Sequence, residues 1–255
     1  YYSKQERDLL TGIEEEQHAV GSILKPLIYG HYRQHGISLE KMVSTAPITL
    51  DLLSGKWTPK EASDIKNEEI TVKEALLRSR NIPTIRLAQE VGFDELEKDL
   101  ISSIPGLKTP LSQYPAQLLG AVELSLRQVY EIYETFIERQ CRDLRHAQSH
   151  GEENLYLFED TLLYHMSDHS SSTIKYRINK NLRPFRFFGK TGTSNKGLDN
   201  WFIGFDGQYL MVIWFGLEGN RIDQQLELGG SSSAFLVYQN FVTHRGKRIP
   251  EFSCF

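Results

Sequence analysis

"NWFIGFDGQYLMVIWFGL", residues 200–217, holds two runs rich in aromatic and β-branched residues with Asp206-Gly207 between them. Runs of that composition read as strands, and an Asp-Gly pair between them reads as a hairpin. "FRFFGKTG", residues 185–192, lies just upstream and reads as a third strand. Downstream, after "GGSSS", the run "AFLVYQNFV" at 234–242 reads as a C-terminal helix. The last third of the chain is therefore an antiparallel sheet followed by a helix.

The first two thirds carry helical signals instead. "GSILKPLIYGHYRQHG", residues 21–36, reads as a buried helix with Ile23, Leu27 and Ile28 inward. Thr71 and Glu74 form a capping box before "VKEALLRS". Pro83 opens the next helix and Gly92 ends it. Ser125 and Gln128 form a second capping box, after which Leu126, Val129, Tyr130, Tyr133 and Ile137 follow helical spacing and predict a buried face. Cys141–Asn154 and "SDHSSST" at 167–173 are polar and read as loops or weak helices around "LYLF". Helices first, then an antiparallel sheet, then a helix make an α+β domain with the sheet packed between helices. The expected division is a helical lobe over about 22–180, then the sheet and final helix over about 181–245, in one domain of 1–255.

Composition excludes several roles. The chain has 255 residues and a formal net charge of -4, so no basic surplus points to nucleic acid. No apolar run is long enough to span a membrane, and "YYSKQERDLL" at the start has no signal-peptide core. Cys141 and Cys254 lack metal or redox spacing and read as two unpaired thiols. His146 with His150, and His165 with His169, stand four apart, but neither pair has a third ligand in sequence. Neither metal nor cofactor is expected.

Gly189-Lys190-Thr191 imitates the end of a phosphate-binding loop, but the glycine required five residues earlier is Pro184, which has no N–H to offer. Residues 191–197 also do not start a helix. Lys190 acquires meaning beside two other elements. Ser22 and Lys25 are three apart, so on a helix they share a face, and Gly21 before them puts Ser22 near the helix N-terminus. Ser79-Arg80-Asn81 precedes Ile82-Pro83, where the chain must turn and can aim a hydroxyl and an amide into a cleft. On a strand, Lys190 and Gly192 share one face and Thr191 and Thr193 the other, and Gly192 lets a ligand backbone lie close.

S-x-x-K, S-x-N and K-T-G in this order form the pattern of active-site serine penicillin-binding proteins and serine β-lactamases. The chain resembles the transpeptidase domain of class A penicillin-binding proteins over about residues 17–240. "VGSILKP", "ALLRSRNIPTIRLAQEVG", "LLGAVELS", "GKTGTSNKGLDNWFIGFDG" and "GGSSSAF" carry the resemblance. A further family segment corresponds to "SSST", residues 170–173. Only about twenty residues precede Ser22, fewer than the family's lead-in, so N-terminal strands and an upstream glycosyltransferase domain and membrane anchor are expected outside this chain.

The resemblance implies the substrate, a peptidoglycan stem peptide ending in D-Ala-D-Ala, and β-lactam antibiotics as its mimics. It places the work on the extracytoplasmic face of the bacterial inner membrane. Ser22 is the implied nucleophile and Lys25 its base. A lysine moved from ~10.4 to ~7–8 needs about 3–5 kcal/mol of bias, at ~1.36 kcal/mol per pKa unit, which burial and the second cation Lys190 can supply. Ser79 is implied as the proton relay, and Asn81 as acceptor from Lys25 and donor to substrate. The N–H groups of Ser22 and Thr193 would hold the oxyanion. Lys190, with Thr191 and Thr193, would bind the substrate's terminal carboxylate. A β-lactamase needs a deacylating glutamate, for which Glu123 is the candidate. A D,D-carboxypeptidase or a β-lactam sensor shares the same motifs.

Overall fold

The computed structural model describes residues 14–63, 68–149, 160–217, 224–244, 252 and 254. The chain enters through β1 (His18–Ala19) and a 3₁₀ turn, Gly21–Leu24, which runs into α1 (Lys25–Gln34). The expected helix over residues 21–36 thus has a tighter first turn. Ile23, Leu27 and Ile28 are buried as predicted, as are Tyr29 and Tyr32.

Two ribbons then interrupt the helical lobe. β2 (Met42–Ser44) pairs with a later strand, and β3 (Leu50–Leu52) pairs with β4 (Gly55–Trp57). The partner of β2 is β5 (Glu69–Thr71), which leads directly into α2 (Val72–Leu77). None of these ribbons was expected from sequence. Each strand is three residues long, too short to show a period. At α2 the cap behaves as read: the Thr71 hydroxyl accepts from Glu74 N at 3.1 Å.

α3 (Asn81–Val91) begins two residues before Pro83. A proline in the first turn removes an N–H that has no helical partner there, so the helix tolerates it. Gly92 closes α3 at φ 96°, as expected. α4 (Phe93–Leu100), a 3₁₀ turn at Pro115–Leu119 and β6 (Glu123–Leu124), which pairs with β1, complete this region.

α5 (Leu126–Ser149) runs farther than the sequence suggested. Residues 141–149 continue the helix rather than forming a loop, because they contain helix formers and no glycine or proline. Ser125 and Gln128 exchange reciprocal capping bonds of 2.9 and 3.2 Å at its start. Its buried stripe is Val129, Tyr133, Phe136, Ile137 and Cys141. Tyr130, expected on that stripe, is exposed and bonds Glu134 at 3.0 Å. "LYLF", His150 and the side chain of His146 lie outside the described residues. Cys141 and Cys254 are joined in a disulfide, which corrects the reading of unpaired thiols. They are 113 residues apart, and no local spacing reports such a pairing.

After α6 (Leu162–His165) comes the sheet: β7 (Phe188–Thr193), β8 (Asp199–Phe205) and β9 (Leu210–Gly216), antiparallel in that order. Asp206 closes the β8–β9 hairpin, its Oδ1 accepting from Gln208 N and Tyr209 N, with Gly207 at φ 95°. α7 (Ala234–His244) covers one face of the sheet and α5 and the helical lobe the other. Side chains alternate between the two cores. Phe188, Trp201 and Ile203 face the lobe; Phe187 and Phe202 face α7, together with Ile174, Ile178 and Leu182. Mixed helix and antiparallel sheet is the α+β class expected. Among the described residues the sheet has three strands, and no helix is long and apolar enough to cross a membrane.

Candidate active site

Close backbone contact places the three motif segments side by side. Gly21 sits at φ 56°, and a Cβ there would fall 2.6 Å from Thr193 O. A Cβ on Gly192 would fall 2.5 Å from Val20 O. Only glycine permits β7 to abut the start of the 3₁₀ turn this tightly. Trp201 Nε1 donates to Ala19 O at 3.0 Å and ties β8 to the same point. Ser22 therefore stands beside the end of β7.

In a 3₁₀ turn, residues three apart eclipse one another. Lys25 N–H donates to Ser22 O across this turn, so the two residues stand one turn apart. Ser22 is half-buried and lines a cleft of about 840 Å³ together with Ser79, Asn81, Thr191 and Thr193. Lys25 and Lys190 lie beneath its floor, at 0% and 3% exposure.

Lys25 Nζ donates to Ser79 O at 2.6 Å, Arg80 O at 3.1 Å and Asn81 Oδ1 at 2.7 Å. All three acceptors belong to one turn, and Ser79 reaches it at φ 58°, a left-handed conformation costly for serine. Burial pushes Lys25 down to about 7; Glu61 opposes this and Arg80 adds to it. That value falls in the range a general base needs, with complete burial as the main cause.

Lys190 Nζ donates to Ser79 Oγ at 2.9 Å and to Thr191 O at 2.8 Å. Ser79 thus touches both lysines, one through its carbonyl and one through its hydroxyl. Lys190, expected as the cation for a carboxylate, is buried, and burial, then Lys25, hold its ammonium well below the usual range. No carboxylate among the groups acting on it offsets the burial.

The threonines divide their tasks. Thr191 and Thr173 hydroxyls are 2.7 Å apart, so the "SSST" segment docks on β7. Thr193 Oγ1 accepts from Gly230 N at 3.0 Å and holds the "GGSSS" turn against the cleft. At the end of β7, Ser194 Oγ bonds Asp199 Oδ2 at 3.0 Å. Trp214 Nε1 donates to Asp199 Oδ1 at 3.2 Å, and His18 Nδ1 lies 3.3 Å from that oxygen.

Sequence reasoning missed Glu61. Its Oε1 accepts from Asn81 N at 2.9 Å and Ile82 N at 2.7 Å, and it lines the cleft. No local motif marks "TPKEAS", and only the tertiary approach of residues 60–61 to α3 gives it a role. Glu123, the expected deacylating candidate, is exposed on β6 opposite Ala19 and does not line the cleft. His169 is packed on Phe187 at 4.2 Å and held near 4 by burial, and no metal-binding group of three occurs among the described residues.

No family model matches this chain. Penicillin-binding protein 1B of Vibrio cholerae is 28% identical over 257 residues, covering 91% of this chain and 31% of the relative. The chain spans about a third of the length of the curated relatives it matches. Among solved structures, penicillin-binding protein 1A from Haemophilus influenzae superposes with a TM-score of 0.68 at 16% identity, covering 94% of this chain and 45% of that one. Penicillin-binding protein A from M. tuberculosis, solved as an imipenem acyl-enzyme complex, gives 0.61 at 16% identity, over 93% of this chain and 62% of that one. Homologues covering about nine-tenths of this chain are class A penicillin-binding proteins, and its fold is that of their transpeptidase domains.

Proposed function

We propose that this chain is a serine D,D-transpeptidase domain that cross-links peptidoglycan stem peptides and is acylated by β-lactams. The observation that carries the reading is the convergence of Ser22, Ser79, Asn81 and Thr193 on one cleft above a buried lysine poised near neutrality. The similarity to penicillin-binding proteins, one of them solved as an imipenem acyl-enzyme complex, supports it.

In this reading Ser22 Oγ attacks the carbonyl carbon of the penultimate D-Ala while Lys25 takes its proton. The N–H groups of Ser22 and Thr193 receive the oxyanion. The proton taken by Lys25 returns to the departing amine through the Ser79 hydroxyl as the C–N bond breaks, which requires that hydroxyl to turn from Lys190 toward Lys25. An acceptor amine then attacks the ester, its proton passing to Lys25 and from there to Ser22 as the C–O bond breaks. Thr191 and Thr193 on the cleft wall, with Lys190 behind them taking up charge as the ligand arrives, receive the terminal carboxylate. The disulfide fits an oxidising compartment, in keeping with work outside the cytoplasm. A glycosyltransferase domain and membrane anchor upstream belong to the same proposal.

A penicillin should add one equivalent of mass to the peptide carrying Ser22, and Ser22→Ala should abolish it. Label on Ser79 would overturn the assignment. With Glu123 away from the cleft, the adduct should persist for many minutes; steady hydrolysis of nitrocefin would indicate a β-lactamase instead.

A further inference from the structure

All three acceptors of Lys25 come from Ser79, Arg80 and Asn81, so whatever holds that turn holds the base. On its α2 side the turn is held by Ser79 N to Leu76 O at 3.0 Å and Arg80 N to Ala75 O at 2.8 Å, with Ser79 left-handed at φ 58°. α3 begins inside it, and its first N–H groups have no helical partner. Residues 60 and 61 supply partners from outside. Glu61 Oε1 takes Asn81 N and Ile82 N, while Lys60 O takes Asn81 Nδ2 at 2.6 Å. Asn81 is gripped at its backbone by Glu61 and at its amide nitrogen by Lys60, which leaves Oδ1 turned toward Lys25 Nζ.

We propose that Glu61 is a positioning residue for Lys25: it clamps the Ser79-Arg80-Asn81 turn from the cleft side and supplies negative charge beside the base. The inference rests on the proposed role of Lys25. The ionisable groups around Lys25 are Glu61, Arg80 and Lys190, and Glu61 is the acidic one among them. Burial lowers Lys25 and Arg80 adds to that, whereas Glu61 raises it. Glu61 therefore performs two separable tasks. Its oxygen orders the turn, which glutamine can reproduce. Its charge stabilises protonated Lys25, which glutamine cannot.

The test measures penicillin acylation of the complete protein across pH, in wild type, Glu61→Gln and Glu61→Ala, with thermal unfolding as a fold check. In Glu61→Gln the turn is kept and the charge lost. Its rate profile should move toward acid, with acylation near pH 6 rising about three- to tenfold relative to its own plateau. In Glu61→Ala the plateau itself should fall at least about tenfold, through misplacement of the base. If Glu61→Ala does not fold, Glu61→Gln alone decides. An unchanged profile in Glu61→Gln, or a wild-type plateau in a folded Glu61→Ala, overturns the inference. Failure of wild type to acylate at Ser22 would overturn the underlying reading instead.

Discussion

Lys25 is a base only when neutral, and burial brings it to about 7. Because its folded value lies far below ~10.4, the neutral form grows as pH rises through about 7. Acylation should therefore climb about tenfold per unit below that point and flatten above it, read by label incorporation between about pH 5.5 and 8.5. Lys25→Arg keeps charge but cannot release a proton, so acylation should be nearly lost at every pH. Lys190 behaves oppositely. Its ammonium is disfavoured by burial and by Lys25, and an arriving carboxylate would favour it. Proton uptake on binding a carboxylate ligand, read as buffer-dependent calorimetric heats over a pH series, should be largest where free Lys190 is partly deprotonated. Lys190→Ala should remove that uptake and weaken acylation roughly ten- to a hundredfold, the size of a charge-assisted bond. An equal loss with an amidated analogue would show that Lys190 serves Ser79 rather than the carboxylate.

Between elements, the site depends on how closely β7 approaches the turn that carries Ser22. Gly192→Ala would place a Cβ 2.5 Å from Val20 O and 2.8 Å from Ile23 Cγ2. Backbone on one side cannot yield, so β7 must shift from Ser22. Acylation should fall by about two orders of magnitude, with a stability loss of about 1–3 kcal/mol, both measurable on the same preparation. A substitution at a helix cap should separate the two effects. Ser125→Ala removes half of the reciprocal cap of α5 and should cost about 1 kcal/mol with little change in acylation rate. The α5 cap was legible because its partners are three residues apart. The Gly192 contact was not, because Val20 is 172 positions upstream in sequence.

At the scale of the whole molecule, the Cys141–Cys254 bond fastens the C-terminal segment to α5. Nearby, Phe252 packs on Phe205 of β8, with ring centroids 6.1 Å apart. Closing 113 residues constrains the unfolded chain, and replacing both cysteines with serine should lower stability by about 2–4 kcal/mol. Neither cysteine lines the cleft, so the acylation rate at a temperature where both proteins stay folded should change little. Denaturant melts with and without reductant check the first expectation, and label kinetics the second.

The amino-acid order alone determined the class of fold, the Asp206-Gly207 hairpin, the caps at Thr71 and Ser125, and the identity of the three motif segments. Each is written in residues a few positions apart, where period, turn chemistry or cap geometry acts locally. Tertiary structure decided the rest. It chose the pairing of Cys141 with Cys254, the short ribbons of the helical lobe and the descent of Lys190 beneath the cleft. It also brought Glu61 to the turn that holds Lys25. These depend on segments far apart in sequence meeting in a dry interior. There the cost of an unpaired polar group or a buried charge selects partners that local sequence does not name.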